Sequence, residues 1–317
     1  MIILLALLAL SLCRSSYTVI DSYSNSTSYV LLLNYTGKES YYEKPTSPII
    51  KQLKFTFHCL AFNDFFFKIT DPNNKRFEVP QEGIFPVDPY TNFSYPISAS
   101  AVRFEYNTDP FDFILTRAAT GSVLFSTLNT DFIFSDHYIQ IGSEVNSEYI
   151  YGIGQRFQEG FRRKDGKWTI FNRDRGKVID KGTGLQTYGF YPFYLLREKN
   201  NLFHINYLRN SNAMDVVKST VEGNHYIVYK VIGGILDFRF FLTEDNPELV
   251  IEKLNLHSGK SALPPFWSLG FHQSKHGYHN ITYLQNVMKG YEENDLPLDT
   301  IWTDIEYMVD YEDFTFD

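Results

Sequence analysis

From Tyr17 to about Leu256 the chain reads as a succession of short segments in which apolar and polar residues alternate. Leu53 to Leu60 (LKFTFHCL), Asp64 to Thr70 (DFFFKIT), Phe111 to Thr116, Asp136 to Ile141 and His225 to Val231 all carry this period of two. Side chains on a strand point alternately to its two faces, so the pattern predicts strands with one buried face. Turn clusters separate them: Asp71-Pro72-Asn73-Asn74, Thr108-Asp109-Pro110, Lys199-Asn200-Asn201 and Gly233-Gly234. No useful helical period interrupts the region. Many short strands joined by polar turns predict a β-sandwich. Aromatic residues make up 17 % of the chain, with 28 Phe and 23 Tyr. Flat rings pack well on pleated sheets, and core packing accounts for this excess better than a ligand surface does.

The period changes near Pro247. Pro247 to His257 (PELVIEKLNLH) predicts a helix with proline in its first turn. Phe266 to His272 (FWSLGFH) reads as a short apolar strand, Asn280 to Asn294 as a helix capped by Asn280, and Leu298 to Trp302 as another strand. Strand, helix, strand at this spacing is a βαβ unit and implies a parallel sheet. The chain therefore divides into an apolar leader at 1–16, a sandwich over 17–256 and the first part of an α/β barrel over 257–317.

Met1 to Leu12 is apolar, too short to span a bilayer and of the length of a signal-peptide core. Uncleaved, it would act as a membrane anchor. Sequons at Asn25, Asn34, Asn92 and Asn280 suit a secreted or lysosomal/vacuolar route, although Asn280 also has a capping role. Net charge is -8 with no basic stripe, which argues against a nucleic-acid partner. Only Cys13 and Cys59 are present, so no disulfide framework is expected, and Cys59 in its aromatic run reads as an inert buried thiol.

The segment Pro264 to Tyr278 (PPFWSLGFHQSKHGY), followed by Leu298 to Asp317 (LDTIWTDIEYMVDYEDFTFD), resembles the start of the catalytic barrel of glycoside hydrolase family 31. Upstream segments agree and occur in family order: Lys68 to Pro80, Tyr149 to Gly154, Phe171 to Asp174, Tyr188 to Tyr194, Asn210 to Val216 and Gly233 to Phe241. The resemblance is to the lysosomal and intestinal α-glucosidase branch. It implies a mainly β chain, an N-terminal galactose-mutarotase-like β-sandwich followed by the first βαβ portion of an incomplete (β/α)8 barrel. It also implies retaining hydrolysis of terminal α-linked glucose from maltose-like or glycogen-like chains, with an oligosaccharide as partner and no cofactor or metal.

Two aspartates perform that reaction in the family, one as nucleophile and one as general acid/base. Nothing here matches the nucleophile motif Trp-x-Asp-Met-Asn-Glu, so both are expected beyond residue 317 and the chain alone is expected to be inactive. The resemblance places sugar recognition on Asp304 and on Asp174, the latter lent by a loop of the sandwich. Trp267, Phe271 and Trp302 fall on barrel-strand positions near the pocket. Glu306 stands where an aspartate is commoner and is expected to support the site or to be solvated.

Other departures are His276-Gly277-Tyr278 for the family's Trp-Gly-Tyr, Tyr191-Pro192-Phe193 for His-Pro-Phe, and Gln155 for a glutamate after Gly154. They leave linkage preference open. The alternatives are a non-catalytic carbohydrate-binding protein or, within enzymes, an ER-type glucosidase or α-xylosidase. Gly152-Ile153-Gly154 is no dinucleotide fingerprint, and His272, His276 and His279 are not expected to form a zinc site.

Overall fold

The computed structural model describes residues 15–37, 47–80, 93–157, 160–172 and 184–317. The described residues form two compact units, residues 1–259 and 260–317.

Among the described residues the first unit contains two large antiparallel sheets, besides a two-stranded antiparallel pair, Arg156–Phe157 with Leu185–Gln186. One runs in the order Tyr17–Ser24, Ser28–Tyr35, Gln52–Ala61, Asp64–Thr70, Leu236–Thr243, Phe203–Leu208, Phe193–Arg197 and Ile150–Gly152. The other runs Gly166–Ile170, Met214–Val221, Asn224–Val231, Ile139–Val145, Val123–Ser126, Phe111–Arg117 and Val102–Thr108, with Phe132–Phe134 paired to Ile139–Val145. The strands whose alternation is cleanest are those that supply rings to the common core. Phe55, Phe57, Phe65, Phe67, Phe113, Phe125, Phe238 and Phe240 are all essentially inaccessible. Rings from the two sheets interdigitate, as with Phe67 and Phe125 at 5.1 Å between centroids and Phe55 and Phe113 at 5.0 Å. Such tilted contacts suit the ring quadrupoles. The aromatic excess is therefore largely core, as the alternation implied.

One strand starts later than expected. The pattern suggested Asp136 to Ile141, but pairing begins at Ile139. Ser135 donates both its backbone N–H (2.9 Å) and its hydroxyl (2.8 Å) to the Tyr138 carbonyl, and this closes a turn over Asp136 and His137.

Cys59 is fully buried with its Sγ 3.6 Å from Ser100 Oγ, and burial pushes the thiol up to about 11. The inert reading of that residue follows directly. Helix α1, Pro247–Ser258, starts as the sequence implied, with Asn246 accepting from the Glu248 N–H at 2.8 Å. It buries Val250 and Leu254 against Ile205 and Phe241 of the first sheet.

The second unit holds helix α2, Ile281–Glu293, and two short parallel strands, His272–Gln273 and Thr300–Ile301. Asn280 caps α2, its side chain accepting from the Tyr283 N–H at 2.9 Å. The expected strand from Phe266 to His272 is mostly something else: Phe266–Leu269 is a 3₁₀ turn and pairing begins only at His272. Two prolines precede the segment, and Ser268 donates its N–H and its hydroxyl to the Pro265 carbonyl at 3.0 and 2.7 Å. That closes the turn before an extended strand can start.

Within residues 260–317 the buried apolar side chains are Tyr278 and Leu284, whereas Leu263, Phe266, Trp267, Leu269, Phe314 and Phe316 are all at least 60 % exposed. Parallel strands are normally covered on both faces, so this unit has too little core to be stable by itself.

Candidate functional site

The parallel pairing matches His272 with Thr300 and Gln273 with Ile301. Both strands therefore end at the same edge, and their following loops diverge from one place. In parallel α/β sheets, ligands bind beyond that carboxyl end.

Asp304 lies three residues past the second strand, in a left-handed conformation at φ 57°. Non-glycine residues rarely adopt this geometry, because Cβ then crowds the backbone. Its carboxylate is partly exposed and has no hydrogen-bond partner among the described residues. It is thus an acceptor with both oxygens available.

Glu306, two residues on, is oppositely placed. Its side chain is only 4 % exposed. Oε1 accepts from the Gly277 N–H and pairs with His276 Nδ1, each at 2.5 Å. Oε2 is buried with no partner among the described residues. Burial opposes its charge, but the hydrogen bonds from His276 and from the backbone outweigh that and hold the carboxyl below the usual range. His276, Asp304 and Glu306 each place a potential ligand atom within 4.8 Å of the others. Glu306 Oε1 is already shared by two donors and His276 Nδ1 is spent on it, so no metal centre is assigned there.

His272 is fixed by its surroundings. Trp302 donates its indole N–H to His272 Nδ1 at 2.9 Å, so Nδ1 is the acceptor and Nε2 carries the proton. Nε2 then donates to the Ser268 carbonyl at 3.0 Å. With both ring nitrogens engaged, His272 is not a ligand in waiting. Its ring lies between Trp267 (6.3 Å) and Trp302 (5.9 Å), and both indoles remain more than half exposed. Phe271 is held by its own N–H, which donates to Asp299 Oδ2 at 2.8 Å, and its ring meets Tyr291 at 6.0 Å.

The chain brings Asp304, Glu306, His276 and Trp302 to the loops that follow these strands, whereas Trp267 lies on the 3₁₀ turn before the first of them. Asp174 and Asn92 fall outside the described residues. Asn25 and Asn34 lie on the first sheet's opening hairpin. Asn25 is exposed, and its Oδ1 accepts from the N–H groups of Thr27 and Ser28 at 2.9 and 2.8 Å. Asn34 is half-buried within a strand. Gly152-Ile153-Gly154 leads to no helix. A Cβ on Gly152 would lie 2.7 Å from the Phe193 carbonyl oxygen, so the glycine there allows close approach of two chain segments. Tyr191, Pro192 and Phe193, where the family has His-Pro-Phe, line an apolar groove of about 430 Å³ next to that turn.

Local spacing holds no cue to the pairing of His276 with Glu306 beyond the fact that each departs from the family's usual residue. It holds none at all to a buried triad in the sandwich, where Glu198 binds Arg117 at 2.5 Å and His204 at 3.1 Å. Partners 81 residues apart leave no trace in local spacing.

Residues 261–317 match the model described as the glycosyl hydrolases family 31 TIM-barrel domain. The chain is 35 % identical over 294 residues to a lysosomal acid alpha-glucosidase of Tetrahymena pyriformis, covering 92 % of this chain and 31 % of that protein. It is 38 % identical over 256 residues to the intestinal sucrase-isomaltase of Oryctolagus cuniculus, covering 79 % of this chain and 13 % of the other. It therefore spans less than a third of either relative. The solved structure of a glucosidase II alpha subunit superposes with a TM-score of 0.77 at 16 % identity, over 98 % of this chain and 42 % of that one, which is a likeness of fold. Ordered motifs, a β-sandwich, a parallel βαβ unit and these matches agree: residues 261–317 match the glycoside hydrolase family 31 barrel, and the chain as a whole is similar to part of proteins of that family.

Proposed function

We propose that this chain is the sugar-holding portion of a retaining α-glucosidase that acts on terminal α-linked glucose of maltose-like or glycogen-like chains. The observation that carries the reading is Asp304: a carboxylate with no hydrogen-bond partner among the described residues, on a left-handed turn beyond the carboxyl end of a parallel strand. A carboxylate so placed accepts hydrogen bonds from two sugar hydroxyls at once, and charge-assisted bonds of this kind are about twice as strong as neutral ones. Trp267 and Trp302 offer exposed ring faces for the apolar side of a pyranose, and Phe271 supports the strand entering the site. The family resemblance also gives Asp174 a substrate contact.

Retaining hydrolysis needs two further carboxylates about 5–5.5 Å apart, one to form the glycosyl intermediate and one to move the proton. No residue of this chain matches the nucleophile motif, so the 317-residue polypeptide binds but does not turn over. The apolar Met1 to Leu12 leader would direct the protein into the secretory route, where Asn25, Asn34 and Asn92 would carry glycans.

The test is a maltose titration of the intact natural polypeptide followed by nuclear magnetic resonance, with the wild type compared with Asp304→Asn. Loss of saturable binding in the variant supports the proposal, and equal binding overturns it. Hydrolysis of maltose by the isolated 317-residue chain would overturn the assignment of the bond-breaking groups.

A further inference from the structure

The residues around Asp304 explain how its unusual backbone is held. We propose that Glu306 is a positioning residue whose buried carboxylate ties together the loops that follow the two parallel strands, and so fixes Asp304 for sugar recognition. The inference rests on the reading of Asp304 given above. Three observations carry it.

Glu306 has a 96 % buried side chain at a position only two residues from the left-handed Asp304 (100 % less the 4 % exposed). Its Oε1 reaches across to the other loop, where it takes the Gly277 N–H and the His276 imidazole at 2.5 Å each. Gly277 itself has φ 102°, so the amide is presented by a backbone shape that favours glycine. One carboxylate oxygen thus bridges residues 29 and 30 positions away in sequence.

The two departures from the family's usual residues meet at this contact. An aspartate at 306 would be one methylene shorter and would not span the same gap, while a tryptophan at 276 has its single N–H in a different place from Nδ1. Glutamate and histidine are therefore matched to each other. Glu306 Oε1 is committed to these two donors, while the neighbouring Asp304 carboxylate has no hydrogen-bond partner among the described residues. Removing the bridge would release the turn, and Asp304 would relax to an ordinary backbone conformation with its oxygens no longer aimed together.

The experiment uses maltose as probe and the intact natural polypeptide, with Glu306→Ala, Glu306→Asp, Glu306→Gln, His276→Ala and Asp304→Asn. Positioning predicts a defined order. Glu306→Ala and Glu306→Asp weaken maltose binding about tenfold, the cost of leaving a polar recognition site misaligned. Glu306→Gln stays within about threefold of wild type, because the amide oxygen can still accept from both donors. His276→Ala, at a side chain 69 % exposed and so outside the folded core, weakens binding less than Glu306→Ala. The Gly277 amide provides a readout independent of sugar. Its hydrogen exchange should be slow in wild type and Glu306→Gln, and fast in Glu306→Ala.

If Glu306→Gln loses as much affinity as Glu306→Ala, Glu306 touches the sugar directly through its charge and the positioning role is wrong. If all the Glu306 variants bind like wild type while Asp304→Asn does not, the bridge is irrelevant and the proposal fails with the functional reading intact. If Asp304→Asn binds like wild type, the functional reading itself fails. Should Glu306→Ala not fold, the comparison of Glu306→Gln, Glu306→Asp and His276→Ala decides the matter by the same order.

Discussion

The buried triad of the sandwich offers a quantitative prediction, for the change Glu198→Gln. Glu198 follows the strand Phe193–Arg197 of the first sheet, and its side chain is fully buried. Arg117, on the strand Phe111–Arg117 of the second sheet, donates to it through Nη2 at 2.5 Å and through Nε at 3.2 Å. The same guanidinium donates to the Phe203 carbonyl at 3.0 Å, and His204 supplies the remaining contact. The triad therefore joins the two sheets. Burial alone would raise the glutamate's pKa, but the hydrogen bonds and charges of His204 and Arg117 win and hold it down to about 2.

The folded value lies below the ordinary 4.5, so the stabilisation is complete above that pH and is lost as pH falls towards 2. At 1.36 kcal/mol per pH unit, a drop from 4.5 to about 2 is worth about 3 kcal/mol at neutral pH and about 1.5 kcal/mol at pH 3. Removing one partner of a buried pair independently suggests about 3–5 kcal/mol. Urea denaturation of wild type and Glu198→Gln at pH 7 and pH 3 measures both. The account predicts a gap of about 3 kcal/mol at pH 7 that roughly halves at pH 3. A gap below about 0.5 kcal/mol, the size of an ordinary surface substitution, or one that does not shrink with acid, would refute the reasoning.

Other predictions are more local. Cys59 should resist iodoacetamide in the folded protein at pH 8 and react on denaturation, because a thiol near 11 leaves about 0.1 % thiolate there. Replacing Asn280 by Ala removes the cap on α2 and should cost about 1 kcal/mol, read as loss of helical signal at fixed urea. In protein secreted from a eukaryotic host, peptide-N-glycosidase followed by mass spectrometry should find Asn25 occupied more fully than the half-buried Asn34. Equal or reversed occupancy would contradict the accessibility argument.

The sandwich was legible in the sequence because its strands each bury one face, so period-two alternation survives in segments such as Asp64–Thr70. Where local hydrogen bonds compete with pairing, the reading slipped. The Ser135 turn delays one strand, and the prolines with Ser268 turn Phe266–Leu269 into 3₁₀ geometry although its composition is that of a strand. The helix caps at Asn246 and Asn280 were legible, since a cap is set by a few adjacent residues. The chemistry around Asp304 was legible only through likeness to a family. What that likeness could not supply is the Glu306 bridge, which depends on the register of two strands and on which oxygen meets which donor.

The central claim is that Asp304 is the carboxylate that holds the terminal glucose. Crystals of the intact natural polypeptide soaked in 1-deoxynojirimycin, a glucose mimic, test it most directly. The account predicts the ring seated beyond the ends of the strands His272–Gln273 and Thr300–Ile301, with two hydroxyls about 2.6–3.0 Å from the Asp304 oxygens. An inhibitor bound with no hydroxyl on Asp304, or with Asp304 turned away from it, would contradict that claim.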